Sequence, residues 1–196
     1  MDFAIDLLWV RNKKVGGIES YIRNLLDGFS SSLFSFHIYL LTSKDNSNTF
    51  KKYILDKRFT IIVCNIKSAS VKKRIIWQNL HLGSLLKKNN INYCFEPYYC
   101  KPFLNTRKVK FITTIHDLQA IHFPKYFSRF KVLWMKFSWQ EAIKSSIQVI
   151  AISNYVKKDI EDFSKKAVGK TKVIYNPIII NTKETILFEA LQKIQY

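Results

Sequence analysis

Phe3-Ala4-Ile5-Asp6-Leu7-Leu8-Trp9-Val10 runs into the loop Arg11 to Val15, then Gly16-Gly17, then Ile18-Glu19-Ser20-Tyr21-Ile22-Arg23-Asn24-Leu25-Leu26. An apolar strand, a basic loop that narrows to a double glycine, and an amphipathic helix follow one another without a gap. Glycine lets the backbone take φ > 0 and approach a ligand closely, because no Cβ intervenes. A helix starting there aims its free N–H groups and the positive end of its dipole at the same spot. The sequence therefore reads either as a phosphate or sugar cradle at the carboxyl edge of a sheet or as a tight strand–helix turn.

Working outward, the same alternation recurs along the chain. Apolar runs with strand character are Phe3–Val10, Phe34–Leu41, Phe59–Ile66, Tyr93–Phe95, Val109–Ile115, Val149–Ile152 and Lys172–Tyr175. Most are continuous rather than alternating, as expected of parallel strands covered on both faces. Between them, Ile18, Ile22, Leu25, Leu26 and Phe29 form one helical stripe. Further helices are expected from about Val71 to Asn89, Ser128 to Ser145 and Asn154 to Phe163. Strands alternating with helices imply right-handed crossovers and a doubly wound parallel α/β sheet of Rossmann type.

The chain has 196 residues and 47% hydrophobic content, enough for one domain with a substantial core. No run of about 18 apolar residues occurs, and Asp2 and Asp6 replace the basic start of a signal peptide. Cys64, Cys94 and Cys100 are odd in number and lack zinc spacing, so they read as thiols of a reducing compartment. These features point to the cytoplasm.

Charge is strongly unbalanced, with 32 Lys and Arg against 14 Asp and Glu, net +18. Residues 1–60 hold nine basic and six acidic side chains, residues 61–120 ten and two, and residues 121–196 thirteen and six. The excess thus lies in the second and third parts. It suits polyanions, an anionic membrane surface or phosphorylated small molecules, or it reflects a Lys-, Asn- and Ile-rich composition with no partner. Nucleic acid fits least well, because no recognised motif is present and the basic residues are scattered along helices.

Ligands of such a sheet bind beyond the carboxyl ends of its strands. Four places qualify: Gly16-Gly17, Glu96-Pro97-Tyr98-Tyr99, Thr113-Thr114-Ile115-His116-Asp117-Leu118, and Ala151-Ile152-Ser153-Asn154. His116 is the sharpest candidate, since a histidine at a strand end faces the crevice and exchanges protons or hydrogen bonds near neutral pH. Asp117 either orients it or caps the next segment. Ser153 reads first as an N-cap and second as a substrate contact. His37 in a strand, His81 in a helix and His122 in a loop read as structural. Phe127, Phe130, Leu133, Trp134 and Phe137 share one face of their helix, with Arg129, Lys131 and Lys136 interspersed. Covering the sheet is the favoured reading of that stripe; lying in a membrane interface is the other.

Four motifs taken in order resemble the N-terminal half of family 4 glycosyltransferases. They are Val15-Gly16-Gly17-Ile18-Glu19-Ser20-Tyr21, Ile112-Thr113-Thr114-Ile115-His116-Asp117-Leu118, Val149 to Ile160, and Val173-Ile174-Tyr175-Asn176-Pro177-Ile178. The resemblance implies a retaining, nucleotide-sugar-dependent enzyme of the GT-B fold, with a Rossmann-like acceptor-side domain over residues 1–180. Residues 181–196 would begin the interdomain segment. It implies that Gly16 and Gly17 approach the donor diphosphate and sugar and that His116 reaches the donor sugar; Asp117, Ser153 and Asn154, from their places at strand ends, complete the candidate substrate-binding set. Glu19 receives no catalytic role. The family generally needs no metal, so the nucleotide-sugar is the co-substrate and no other cofactor is expected.

The chain also departs from that family. The resemblance implies two glutamates in the family's donor-binding half with seven residues between them, whereas Glu184 and Glu189 are only five positions apart and fall in Thr182 to Gln192. The expectation is a domain that transfers a hexose to a glycan or lipid-linked acceptor only when a donor-binding half completes it. The alternative is a non-catalytic basic module that docks on an anionic membrane or a protein partner.

Overall fold

The computed structural model describes residues 2–11, 14, 16–99, 101–104 and 108–177. Val15, Cys100, Glu184, Glu189 and the segment 181–196 lie outside them. Seven strands form one sheet: β1 (Asp2–Asp6), β2 (His37–Ser43), β3 (Phe59–Cys64), β4 (Tyr93–Glu96), β5 (Lys110–Ile115), β6 (Gln148–Ala151) and β7 (Thr171–Val173). Their order is β3-β2-β1-β4-β5-β6-β7, and every pairing is parallel. All carboxyl ends therefore share one edge. The order reverses between β1 and β4, which makes that junction the switch point where such sheets open a crevice.

Side chains alternate across the sheet as strand geometry requires. Ile5, Leu40, Phe95 and Ile150 point to the face covered by α1 (Gly17–Ser31), where Ile22 and Leu26 are fully buried. Ala4, Leu41, Cys94 and Phe111 point to the other face, under the run α2 (Val71–Trp77), a π-turn (Gln78–Leu82) and α3 (Gly83–Lys88). Farther along that face, Ile115, Val149 and Ala151 meet α5 (Arg129–Ser145) and α6 (Asn154–Phe163).

The first strand stops at Asp6, because Leu8 N–H and the carboxylate of Asp6 close a turn. Leu7 to Val10 are nonetheless buried, as loop rather than strand. Phe34 and Phe36 precede β2 and stack on each other instead of entering the ladder. His122 is not in a loop; it ends the short helix α4 (Gln119–His122).

The aromatic stripe of α5 is also corrected. Its buried face is Met135, Trp139, Ala142 and Ile143, while Phe130 is 87% and Leu133 67% exposed. Both faces carry large apolar residues at helical spacing, so periodicity alone did not say which one met the sheet.

Candidate functional site

Gly16 has φ 65° and ψ −139°, a region that glycine occupies easily and other residues do not. Its carbonyl accepts the N–H groups of Glu19 and Ser20, which starts α1. Gly17 is already helical, and a Cβ there would meet nothing within 4 Å. Of the pair, only Gly16 is required by backbone shape.

One turn into α1, Tyr21 sets its ring edge-on to the imidazole of His116, with centroids 5.0 Å apart. The Tyr21 hydroxyl lies 3.3 Å from Thr114 Oγ1. His116 Nε2 lies 2.8 Å from the carbonyl oxygen of Pro97. A carbonyl only accepts, so Nε2 carries the proton and Nδ1 is left as the acceptor of a neutral ring. Burial holds the His116 pKa below its usual 6.5, partly offset by the Pro97 bond and the Asp117 charge. The ring is therefore a neutral hydrogen-bond acceptor at pH 7, tied to the exits of β4 and β5 at once.

Tyr98 stacks on Trp9 at 5.6 Å and donates its hydroxyl to Tyr99. The loop after β1 is pinned from below by buried Asn46, whose amide donates to Leu7 O and Val10 O at 2.8 Å while its oxygen accepts from Ser43 N. Asp117 accepts the N–H of Gln119 and so closes a turn just ahead of α4. Ser153 Oγ accepts Val156 N–H at the start of α6. The Asn154 amide donates to Tyr175 OH at 3.3 Å. The structure thus brings Gly16, His116, Asp117, Ser153 and Asn154 to one edge, and it joins His116 directly to α1. Glu19 is buried in a pair with Arg23, which also reaches Thr49, so its role is to fasten α1 to the 3-10 turn Ser47–Leu55.

Beneath the switch point sits a buried cluster of ionisable side chains. Asp6 ends β1 and Glu96 ends β4, side by side. Burial and the Asp6 charge push the Glu96 pKa well above its usual 4.5, despite Lys101 and Arg74 nearby. Burial also raises Asp6, with Leu8, Gln78 and Arg74 pulling it back. Cys94 and Cys64 are buried free thiols, and burial raises Cys64 to about 12. Among the described residues no three His, Cys, Asp or Glu side chains gather as a metal would require.

The sequence assigns Tyr21, Trp9 and Asn46 no role at the site, and it places Pro97 in a candidate stretch without pointing to its carbonyl. Tyr21 looks like one more member of an apolar stripe, and a carbonyl has no residue signature.

The family model described as Glycosyltransferase Family 4 matches residues 15–181. The chain belongs to glycosyltransferase family 4. This family 4 domain superposes on Anabaena HepE, solved in complex with UDP and glucose, with TM-score 0.53 and 14% identity over 98% of this chain and 50% of that one. It superposes on the apo form of the lipopolysaccharide outer core galactosyltransferase WaaB with TM-score 0.52 and 16% identity, over 93% and 47%. The chain therefore spans about half the length of these solved structures, and the likeness is one of fold. No curated protein sequence matches it. Among the described residues no helix is long and apolar enough to cross a membrane.

Proposed function

We propose that this family 4 domain is the acceptor side of a retaining, nucleotide-sugar-dependent glycosyltransferase that passes a hexose to a glycan or lipid-linked acceptor. The observation that carries the reading is His116: a neutral imidazole at the crevice edge, with one nitrogen held by Pro97 O and the other left to accept a sugar hydroxyl. That HepE was solved with UDP and glucose supports a nucleoside diphosphate sugar as the donor class. In this reading Gly16 and Gly17 let α1 begin close to the donor diphosphate and sugar. Asp117 and Ser153 position α4 and α6, and Asn154 offers its amide at the same edge. Departure of the diphosphate needs positive charge or donors fixed on it. That role falls to the donor-binding half, on the same polypeptide or another.

The experiment is transfer from radiolabelled UDP-hexoses to membrane-extracted glycan acceptors, with these 196 residues alone and with a donor-binding half added. Transfer only in the second case is expected. Robust transfer by the 196 residues alone would sink the half-site reading. In the completed enzyme, His116→Ala should lower turnover by roughly ten- to a hundredfold, the worth of one or two lost hydrogen bonds, with the fold intact.

The net charge of +18 supports work in the cytoplasm at the inner membrane face, where an anionic leaflet attracts basic proteins. The second reading, a basic module that docks on a membrane or protein partner without transferring sugar, is favoured by the exposed aromatic side of α5. Binding without transfer, even when a donor-binding half is supplied, would select it.

A further inference from the structure

The exposed side of α5 is continuous with that of the preceding helical run. Asn79, in the π-turn, accepts the N–H groups of Phe103 and Leu104 at 2.7 and 3.2 Å. The Phe103 ring then meets Phe137 at 5.1 Å and Trp134 at 6.0 Å. The segment 101–104 is thereby clamped between the two helices. Ile76, Leu80, Leu104, Phe130, Leu133 and Phe137 are all about half exposed or more on this one side of the sheet. Exposing that many large apolar groups together is unfavourable unless something covers them.

The charges around the patch say what that is. No acidic residue occurs between Asp56 and Glu96, nor between Asp117 and Glu141. Lys72 and Lys73 flank the α2 part, and Arg129, Lys131 and Lys136 flank the α5 part. Glu141, one turn beyond Phe137, is the single carboxylate of α5 and pairs with Lys144 at 3.8 Å; aromatic and aliphatic groups framed by such an excess of lysine and arginine match a headgroup–acyl boundary of anionic lipid. The long basic stems lie along apolar surface and keep their ammonium groups at phosphate depth. A protein partner would have to supply a matching acidic frame around an apolar strip. α5 starts near the carboxyl edge of the sheet, after β5, and α2 starts there too, after β3. A membrane on this side would therefore adjoin the crevice.

We infer that the joined outer faces of α2 and α5 dock this protein on an anionic lipid surface, with Phe130, Leu133 and Phe137 inserted at the interface. This rests on the proposed membrane location of the acceptor and names the surface that would serve it. Vesicle binding is read without any sugar transfer, so either proposal can fail while the other stands.

The test is flotation of the 196-residue chain with phosphatidylglycerol–phosphatidylcholine vesicles and with pure phosphatidylcholine vesicles. Binding to the anionic vesicles is expected. Phe130→Ser, Leu133→Ser and Phe137→Ser combined should weaken it at least about tenfold, with the circular dichroism spectrum and melting curve unchanged. Lys131→Gln with Lys136→Gln should weaken it about tenfold on anionic vesicles only. Leu33→Ser with Leu55→Ser, exposed residues outside the patch, should leave it unchanged. Failure to float with anionic vesicles, or undiminished flotation of the triple variant, overturns the proposal. So does sedimentation velocity showing a dimer that the triple variant dissolves, since a second copy would then cover the face.

Discussion

The decisive residues at the site are those whose atoms have only one way to bond. His116 Nε2 faces a carbonyl, so a long-range nitrogen–proton NMR correlation should show Nδ1 unprotonated near neutral pH. A protonated Nδ1 would remove the acceptor role. Because burial depresses its pKa, the unfolded chain binds the proton more readily. His116 therefore contributes stability at neutral pH that is lost as pH falls below 6.5. Glu96 works in the opposite sense. Its raised pKa means the folded state holds a proton that the unfolded chain has released, so stability falls as pH rises above 4.5. Glu96→Gln should lessen that fall, leaving the part due to Asp6, and raise the melting temperature near neutral pH; a variant with an unchanged pH–stability profile would count against a neutral Glu96. The double glycine divides in the same way. Gly16→Ala should cost about 1–3 kcal/mol in urea unfolding for its positive φ, whereas Gly17→Ala should be neutral or stabilise by about 0.5 kcal/mol.

Elements were legible to the extent that their pattern was one-sided. α6 begins and ends where Ser153 and its periodicity place it, and α1 buries Ile22 and Leu26 as its spacing assigns, with Glu19 and Tyr21 buried beside them. α5 has apolar residues on two sides, so only contact with the sheet decided which was core. Trp139→Ala, fully buried, should cost about 3–5 kcal/mol, whereas Phe130→Ala should stay within about 0.5 kcal/mol. Equal losses in chemical denaturation would contradict this packing. The loop after β1 shows the other limit. Asn46 lies thirty-six residues from Val10, whose carbonyl it holds, and a single buried amide has no periodicity to reveal it. Asn46→Ala removes three buried hydrogen bonds, to Leu7 O, Val10 O and Ser43 N, with Leu7 O keeping only the Val10 N–H, and should cost about 3 kcal/mol.

At the scale of the molecule, these 196 residues match about half of each solved structure they resemble, and the strongest expectation concerns completion. Adding a donor-binding half should restore transfer, and His116→Ala should reduce it again without changing assembly. What the sequence by itself determined was the parallel α/β class, the order of elements and the family, because continuous apolar runs, helical spacing and four short motifs are local and survive as text. It also marked His116, since a histidine at a strand end is placed by the strand. The tertiary structure alone decided the rest: which nitrogen of His116 is free, which glycine bears the strain, which side of α5 meets solvent, and that Asp6 and Glu96 share one buried site. Each of these depends on which distant atom lies across a contact, and burial, charge coupling and hydrogen-bond direction exist only once the chain has brought those atoms together.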